Sequence, residues 1–360
     1  RRSSDLLKVQ ARAVLAGESS ICTLALDGKK KKSFSKSGNS SVIAQECSVQ
    51  SNSESASAMN VPAGSKLISN TTCVTGGYAG DPYSYSPKPV TDCPPLADPL
   101  AERPMPKDKK CDFKKLKIKK ESRKLVPGVY CKGVFVSQKS NVQLEPGTYI
   151  FLDGDLDVGG ESKFTGKDVS LYFAKDSRMF IRNATKIDLA APRSGDMAGF
   201  LVAADRKNDP DLVFEMQSND AKGFSGMIYT PNNTFKVGDD ADGDGKCDIS
   251  NDPLKPLVDA VNDFNNTYTK DEDAGDDRES QINKIASSAS SALQNALAAK
   301  DDLPGCKAEL GQYSDWTAIV ARNIEITAGV QLVLNADYSN SSIPVPENDG
   351  FIGPSARLVN

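Results

Sequence analysis

The chain has 360 residues, 38% hydrophobic, 26% charged and 7% aromatic, and its 44 Lys and Arg against 48 Asp and Glu leave a formal charge of −4. That length accommodates one large domain or two ordinary ones, and the lack of a basic excess excludes nucleic acid as the expected partner. No His occurs anywhere, which removes Ser-His-Asp and Cys-His catalysis together with His-ligated zinc.

The sequence opens on Arg1-Arg2-Ser3-Ser4 without Met, so a signal or membrane anchor is expected to have been removed or left out. Residues 6–15 carry helical patterning with Ser4 or Asp5 as cap, as in the tail of a longer helix. Short alternating runs at 22–26, 41–44 and 47–49 follow, separated by Gly, Ser and Asn. Residues 1–105 therefore predict an N-terminal helix and a small, disulfide-braced α+β region, closed by a connector dense in Pro and Gly. The basic run 107–124 is diluted by Asp108, Asp112 and Glu121 and predicts a solvated or edge-strand face.

Residues 106–238 carry the clearest organisation. Pro127-Gly128-Val129-Tyr130 returns nineteen residues later as Pro146-Gly147-Thr148-Tyr149. Around these turns lie apolar doublets two apart, among them Val134/Val136, Val142/Leu144, Tyr149/Phe151 and Leu156/Val158. Short strands at close spacing with no helix between them mean a mainly β domain, and a unit near twenty residues favours a β-solenoid or β-helix-like stack over a sandwich. Asp153, Asp155 and Asp157 share one strand face; the expected reading is an outward face, with acid–base cleavage of a polysaccharide as the rival.

The pattern changes over 239–310. Val258, Val261 and Phe264, then Ile282, Ile285, Ala289, Leu293 and Leu297, follow helical steps and predict an α-helical hairpin insertion that stops at Pro304-Gly305. Ahead of it, Asp240, Asp242, Asp244 and Asp248 fall at positions 1, 3, 5 and 9 of a calcium loop, with the Lys246 carbonyl at 7. Position 12 is Asn251, and Asp252 follows it. Carboxylates at alternate positions converge on one centre, so a structural Ca²⁺ is expected, in a loop that resembles the thrombospondin type 3 and dockerin loops. Residues 311–360 return to strand text and complete the β-domain. Within them, Asp337-Tyr338-Ser339-Asn340-Ser341 spells the first half of a von Willebrand A metal site but leaves no room for the rest, so it predicts a turn after a strand.

Eight cysteines, Cys22, Cys47, Cys73, Cys93, Cys111, Cys131, Cys247 and Cys306, contain no C-x-x-C pair. Widely spaced and even in number, they imply disulfides and an oxidising compartment, and of the 105 pairings open to eight cysteines we take the sequential one.

Several stretches in order resemble the TadG-like proteins of the bacterial tight-adherence (Tad/Flp) pilus apparatus: the segment from Glu46-Cys47 to Asn52-Ser53, Asp98-Pro99-Leu100-Ala101, the two Pro-Gly-x-Tyr turns, Leu189-Ala190-Ala191-Pro192, Gly226-Met227-Ile228-Tyr229-Thr230-Pro231, and Trp316-Thr317-Ala318-Ile319. The resemblance implies a non-enzymatic structural or adhesive envelope protein, periplasmic or extracellular. It would be held to the membrane only through the missing N-terminal anchor, with other pilus or envelope proteins, or further copies of itself, as partners. The insertion at 239–310 has no counterpart in that pattern. The rival expectation is a secreted β-helical carbohydrate-binding or polysaccharide-cleaving protein.

Overall fold

The computed structural model describes residues 20–107, 110–182, 185–218, 220–238, 309–327, 329–338 and 340–345, side chains of 222 and 309 excepted, with the backbone of 12–16 and 355–359. The described residues belong to one compact unit, Arg1–Lys246 with Ala308–Asn360.

The protein is mainly β, and the strands of its large sheet pair in parallel. Gly147 pairs with Val169, Val142 with Phe164 and Leu156 with Met179, so the chain comes back alongside itself after about twenty residues. A parallel pair needs a long crossover. In these three pairs the crossover is made of the strands of the other ladders.

Three such ladders result. The first passes through Gly147–Leu152, Val169–Ala174 and Phe200–Ala204 to Asp220–Val237, then Thr317–Ile326, Ser20–Ala25, Ser41–Ser51 and Lys66–Val74. The second holds Leu156–Val158, Met179–Ile181 and Val213–Met216 and ends at Phe34–Lys36, Met59–Val61 and Tyr78–Gly80. The third holds Ser122–Leu125, Asn141–Leu144, Lys163–Gly166 and Lys186–Ala190 and closes on Tyr85–Ser86. Long strands such as Gly128–Ser137 and Thr317–Ile326 shift register midway and serve two ladders.

The apolar doublets are the inward positions of these strands. Val134 pairs with Leu156 and Leu156 with Met179; Val136 pairs with Val158 and Val158 with Ile181. All are buried. The period of two sends the intervening residues outward. In the first ladder, rings stack from strand to strand: Phe113 on Tyr130 at 4.6 Å, Tyr130 near Phe151 at 5.9 Å, and Phe151 on Phe173 at 4.8 Å.

The Pro-Gly-x-Tyr turns have a local cause. Tyr130 donates its hydroxyl hydrogen to the Val126 carbonyl at 2.6 Å, and Tyr149 donates to that of Glu145 at 2.8 Å. In both, the tyrosine closes on the carbonyl just before its own proline. Gly147 has φ 137°, and a Cβ there would meet the Pro127 ring at 2.4 Å. Only glycine lets the second corner sit on the first.

The ladders are not filled in sequence order. The chain enters mid-ladder at Ser20–Ala25, between Thr317–Ile326 and Ser41–Ser51, and builds toward Tyr85–Ser86. It then returns to the far end, where Phe113–Lys119 pairs with Gly128–Ser137 alone, and climbs back. This return segment is held along its length. Asn52 exchanges two hydrogen bonds with the Leu96 backbone, at 2.7 and 3.0 Å. Gln50 donates to the Pro94 carbonyl at 3.1 Å.

The structure alters two expectations. Residues 12–15 do not continue a helix: Arg12–Ala16 is a strand antiparallel to Ser355–Val359. A short apolar run is ambiguous between the two periods, and a partner strand decides it. Residues 1–11 lie outside the described residues. Nor does the first region form an α+β unit. Its described helix is the single 3-10 turn Pro82–Ser84, and its strands extend the same ladders through pairing with Thr317–Ile326 and Gln331–Val333. Those partners are some three hundred positions away in sequence, which is why the region looks self-contained when read locally. The expected helical hairpin lies outside the described residues, and strand structure is present again at Glu309–Leu310.

Candidate functional site

Three disulfides join the pairs expected: Cys22–Cys47, Cys73–Cys93 and Cys111–Cys131, with sequence separations of 25, 20 and 20. Each closes one pass of the chain onto the next. Cys93 and Cys111 stand at the two ends of the return segment, so both of its attachment points are covalent. Such bonds fit an oxidising, extracellular or periplasmic location. Cys247 and Cys306, and the calcium residues Asp240, Asp242, Asp244, Lys246, Asp248 and Asp252, lie outside the described residues. Among the described residues no group of His, Cys, Asp and Glu is placed to hold a metal ion.

The three aspartates of 153–157 are engaged with cations rather than left unpaired. Each faces a cation one pass away: Asp153 meets Lys132 at 3.6 Å, Asp155 meets Arg178 at 3.5 Å, and Asp157 takes two bonds from Arg182 at 2.7 and 2.8 Å. The same arrangement recurs at Asp168, where Arg193 donates at 2.8 and 2.7 Å and its hydrogen bonding holds the carboxyl below the usual range. Exposed pairs of this kind add little to stability; their effect is to cancel charge between stacked strands.

The basic run has the edge position its composition suggests. Phe113–Lys119 and Ser122–Leu125 end the ladders at one side, and Lys114, Lys115, Lys117 and Lys119 are exposed. Charges there discourage a further strand from adding. Asp337 accepts from Asn340 at 2.9 Å, the local bond of a turn.

A polar joint that sequence reading missed lies under the return segment. Tyr229 donates to Asp98 at 2.7 Å and accepts from Arg206 at 2.8 Å. Arg206 also donates to the carbonyls of Leu100 and Arg103, and burial together with the Asp98 bond pushes the Tyr229 phenol up. Asp98 and Leu100 come from one of the stretches quoted above and Tyr229 from another, while Arg206 belongs to neither, and one sequence without pairing information does not say that they meet.

Two hollows open at the surface near the basic end. One of about 1010 Å³ lies between the return segment and the corners of the stack, bordered by Met105, Pro106, Pro146 and Met197. The other, of about 430 Å³, surrounds Phe135 on the outer side of the second ladder. Comparison with protein-family models, with curated proteins and with solved structures finds no match for the chain.

Proposed function

We propose that the three ladders are the faces of a β-solenoid and that the protein is a non-enzymatic structural or adhesive component of the cell envelope. Its membership of a Tad-type pilus assembly apparatus rests on the resemblance in sequence. The observation that carries the mechanical role is the bracing: disulfides close successive passes, one at each end of the return segment, and that segment bonds to the first ladder at Asn52, Arg206 and Tyr229. Carboxylates that a glycosidase would need unpaired are bound to cations of the neighbouring pass. A structural Ca²⁺ held by Asp240, Asp242, Asp244, Lys246, Asp248 and Asp252 belongs to the same reading, as do an N-terminal membrane anchor and pilus or envelope proteins as partners.

The test is genetic. Deleting the gene in its host should abolish surface piliation or adherence, and complementation with the full-length protein should restore it. Unchanged piliation and adherence in the deletion strain would reject the assignment. The calcium component is read separately. Titration calorimetry should show calcium heats that vanish in the Asp242→Ala/Asp244→Ala double variant, and equal, negligible heats in both proteins would remove it.

A further inference from the structure

Alternation on two neighbouring strands fixes what faces outward at the Phe135 hollow. On Phe113–Lys119, Ile118 is buried while Lys117 and Lys119 are exposed. On Gly128–Ser137, Phe135 stands out between buried Val134 and Val136. Phe135 pairs in register with Lys117 on one side and Asp157 on the other. Phe135 is 40% exposed, an apolar platform in the middle of a charged face.

The charges around it are unequal. Asp157 is engaged by both bonds from Arg182, whereas no described carboxylate pairs with Lys117 or Lys119. The hollow therefore holds three cations against one carboxylate. Gly159 and Gly160 border it and pack closely on the neighbouring pass. A Cβ at Gly160 would meet the Gln138 backbone nitrogen at 2.6 Å, and one at Gly159 would press on the Arg182 side chain at 3.2 Å. Beyond Asp157 the next outward residue in register is Phe180, with the Arg178 guanidinium 4.5 Å from its ring centre. At strand spacing Phe135 and Phe180 stand ~10 Å apart, within the span of two sugar units in an extended chain.

We propose that this hollow binds a polysaccharide containing hexuronate units. The apolar C–H face of one sugar lies on the negative face of the Phe135 ring. Its carboxylate sits between Lys117 and Lys119, and the chain runs along the ladder over the Asp157–Arg182 pair. A bare anion or a polyphosphate would explain the lysines but offers no apolar face to the exposed ring. The inference needs no pilus partner and stands apart from the assembly role proposed above.

Affinity electrophoresis of the purified chain through gels containing polygalacturonate, dextran or dextran sulfate tests it. The protein should be retarded by polygalacturonate and not by dextran. Phe135→Ala and the double variant Lys117→Ala/Lys119→Ala should each weaken that retardation at least fivefold. Phe135→Tyr, which keeps a ring, should retain it, and so should Lys114→Ala, which removes a charge from the same strand outside the hollow. Four results would overturn the proposal: no retardation of the parent, equal retardation of Phe135→Ala, a loss in Lys114→Ala as large as in the double variant, or retardation by dextran sulfate alone. Unchanged melting temperatures assign the losses to binding, and a loss that Phe135→Tyr fails to rescue counts against the platform.

Discussion

Lys36 sits where the fold calls for a hydrophobic residue. It pairs in register with Ile326 on an inward position of the second ladder and is buried. Its ammonium nitrogen donates to the Ser40 carbonyl at 3.0 Å and to that of Lys66. Burial lowers its pKa to about 7, because the charged form loses its hydration, and a neutral amine still has hydrogens for both carbonyls. In the unfolded chain the same group titrates near 10.4. Between those two values the unfolded state binds more protons, so stability rises with pH across that window; below pH 7 the cost of the buried charge is constant. Urea melts at pH 6.5 and pH 9.5 should therefore differ by about 3 kcal/mol in favour of the higher pH. Lys36→Met abolishes that difference while removing the amine's bonds to the Lys66 carbonyl and to the Ser40 carbonyl, which keeps the Lys66 backbone N–H at 2.9 Å, so it should be destabilising mainly at pH 9.5. An equal pH slope in parent and variant would show that Lys36 is not the group responsible.

At the scale of strands and bonds, two kinds of contact compete to hold one pass on the next. The Cys111–Cys131 bridge closes a separation of 20 residues, worth about 3 kcal/mol in the chain-entropy account. The ring of Phe151 is buried and stacks on Phe173 at 12° between planes, and truncating such a side chain costs about 3–5 kcal/mol. Phe151→Ala should thus lower stability at least as much as Cys111→Ala/Cys131→Ala, measured by denaturant midpoints under oxidising conditions. A larger loss from the disulfide variant would mean that covalent closure, not ring packing, dominates this end. These elements were the legible part of the sequence. Doublets such as Val134/Val136 and Leu156/Val158 announce inward positions because a strand repeats every two residues. The Pro-Gly-x-Tyr turns announce corners because proline and glycine fix them. Sequential pairing of the first six cysteines follows from the same repeat, since one pass separates the partners. What stayed hidden is non-local. The order of strands in the ladders, and the meeting of Asp98 with Tyr229, depend on pairing between residues 131 positions apart. The outward platform at Phe135 was missed because one exposed ring in a strand looks the same as a surface accident.

For the whole molecule, the route of the chain matters more than any single strand. A stack in which each pass touches only its neighbours behaves as a one-dimensional array, with ends that open independently of the middle. The return segment breaks that rule, because it binds passes that are not neighbours: Asn52 near one end, Tyr229 and Arg206 in the middle, and the Cys111–Cys131 bridge at the other. Arg206 is the densest of these ties, reaching the Leu100 and Arg103 carbonyls and the Tyr229 hydroxyl, with its guanidinium 5.3 Å from the Tyr229 ring centre. Replacing it leaves the buried Tyr229 hydroxyl with Asp98 alone and removes the guanidinium bonds to two carbonyls, of which that of Leu100 keeps the Arg103 N–H, a loss of about 2–4 kcal/mol for a charged donor of several bonds. The disulfides keep the segment attached at its ends, so the protein should still fold. Its cooperativity should change. The parent is expected to unfold in urea as one transition by tryptophan fluorescence, which reports the buried Trp316, and by far-ultraviolet circular dichroism, which reports every pass. In Arg206→Ala the two signals should separate, with part of the dichroism lost before Trp316 becomes exposed. Coincident transitions in that variant, shifted equally to lower urea, would mean that the passes communicate through their ladders alone and that the return segment adds stability without coupling.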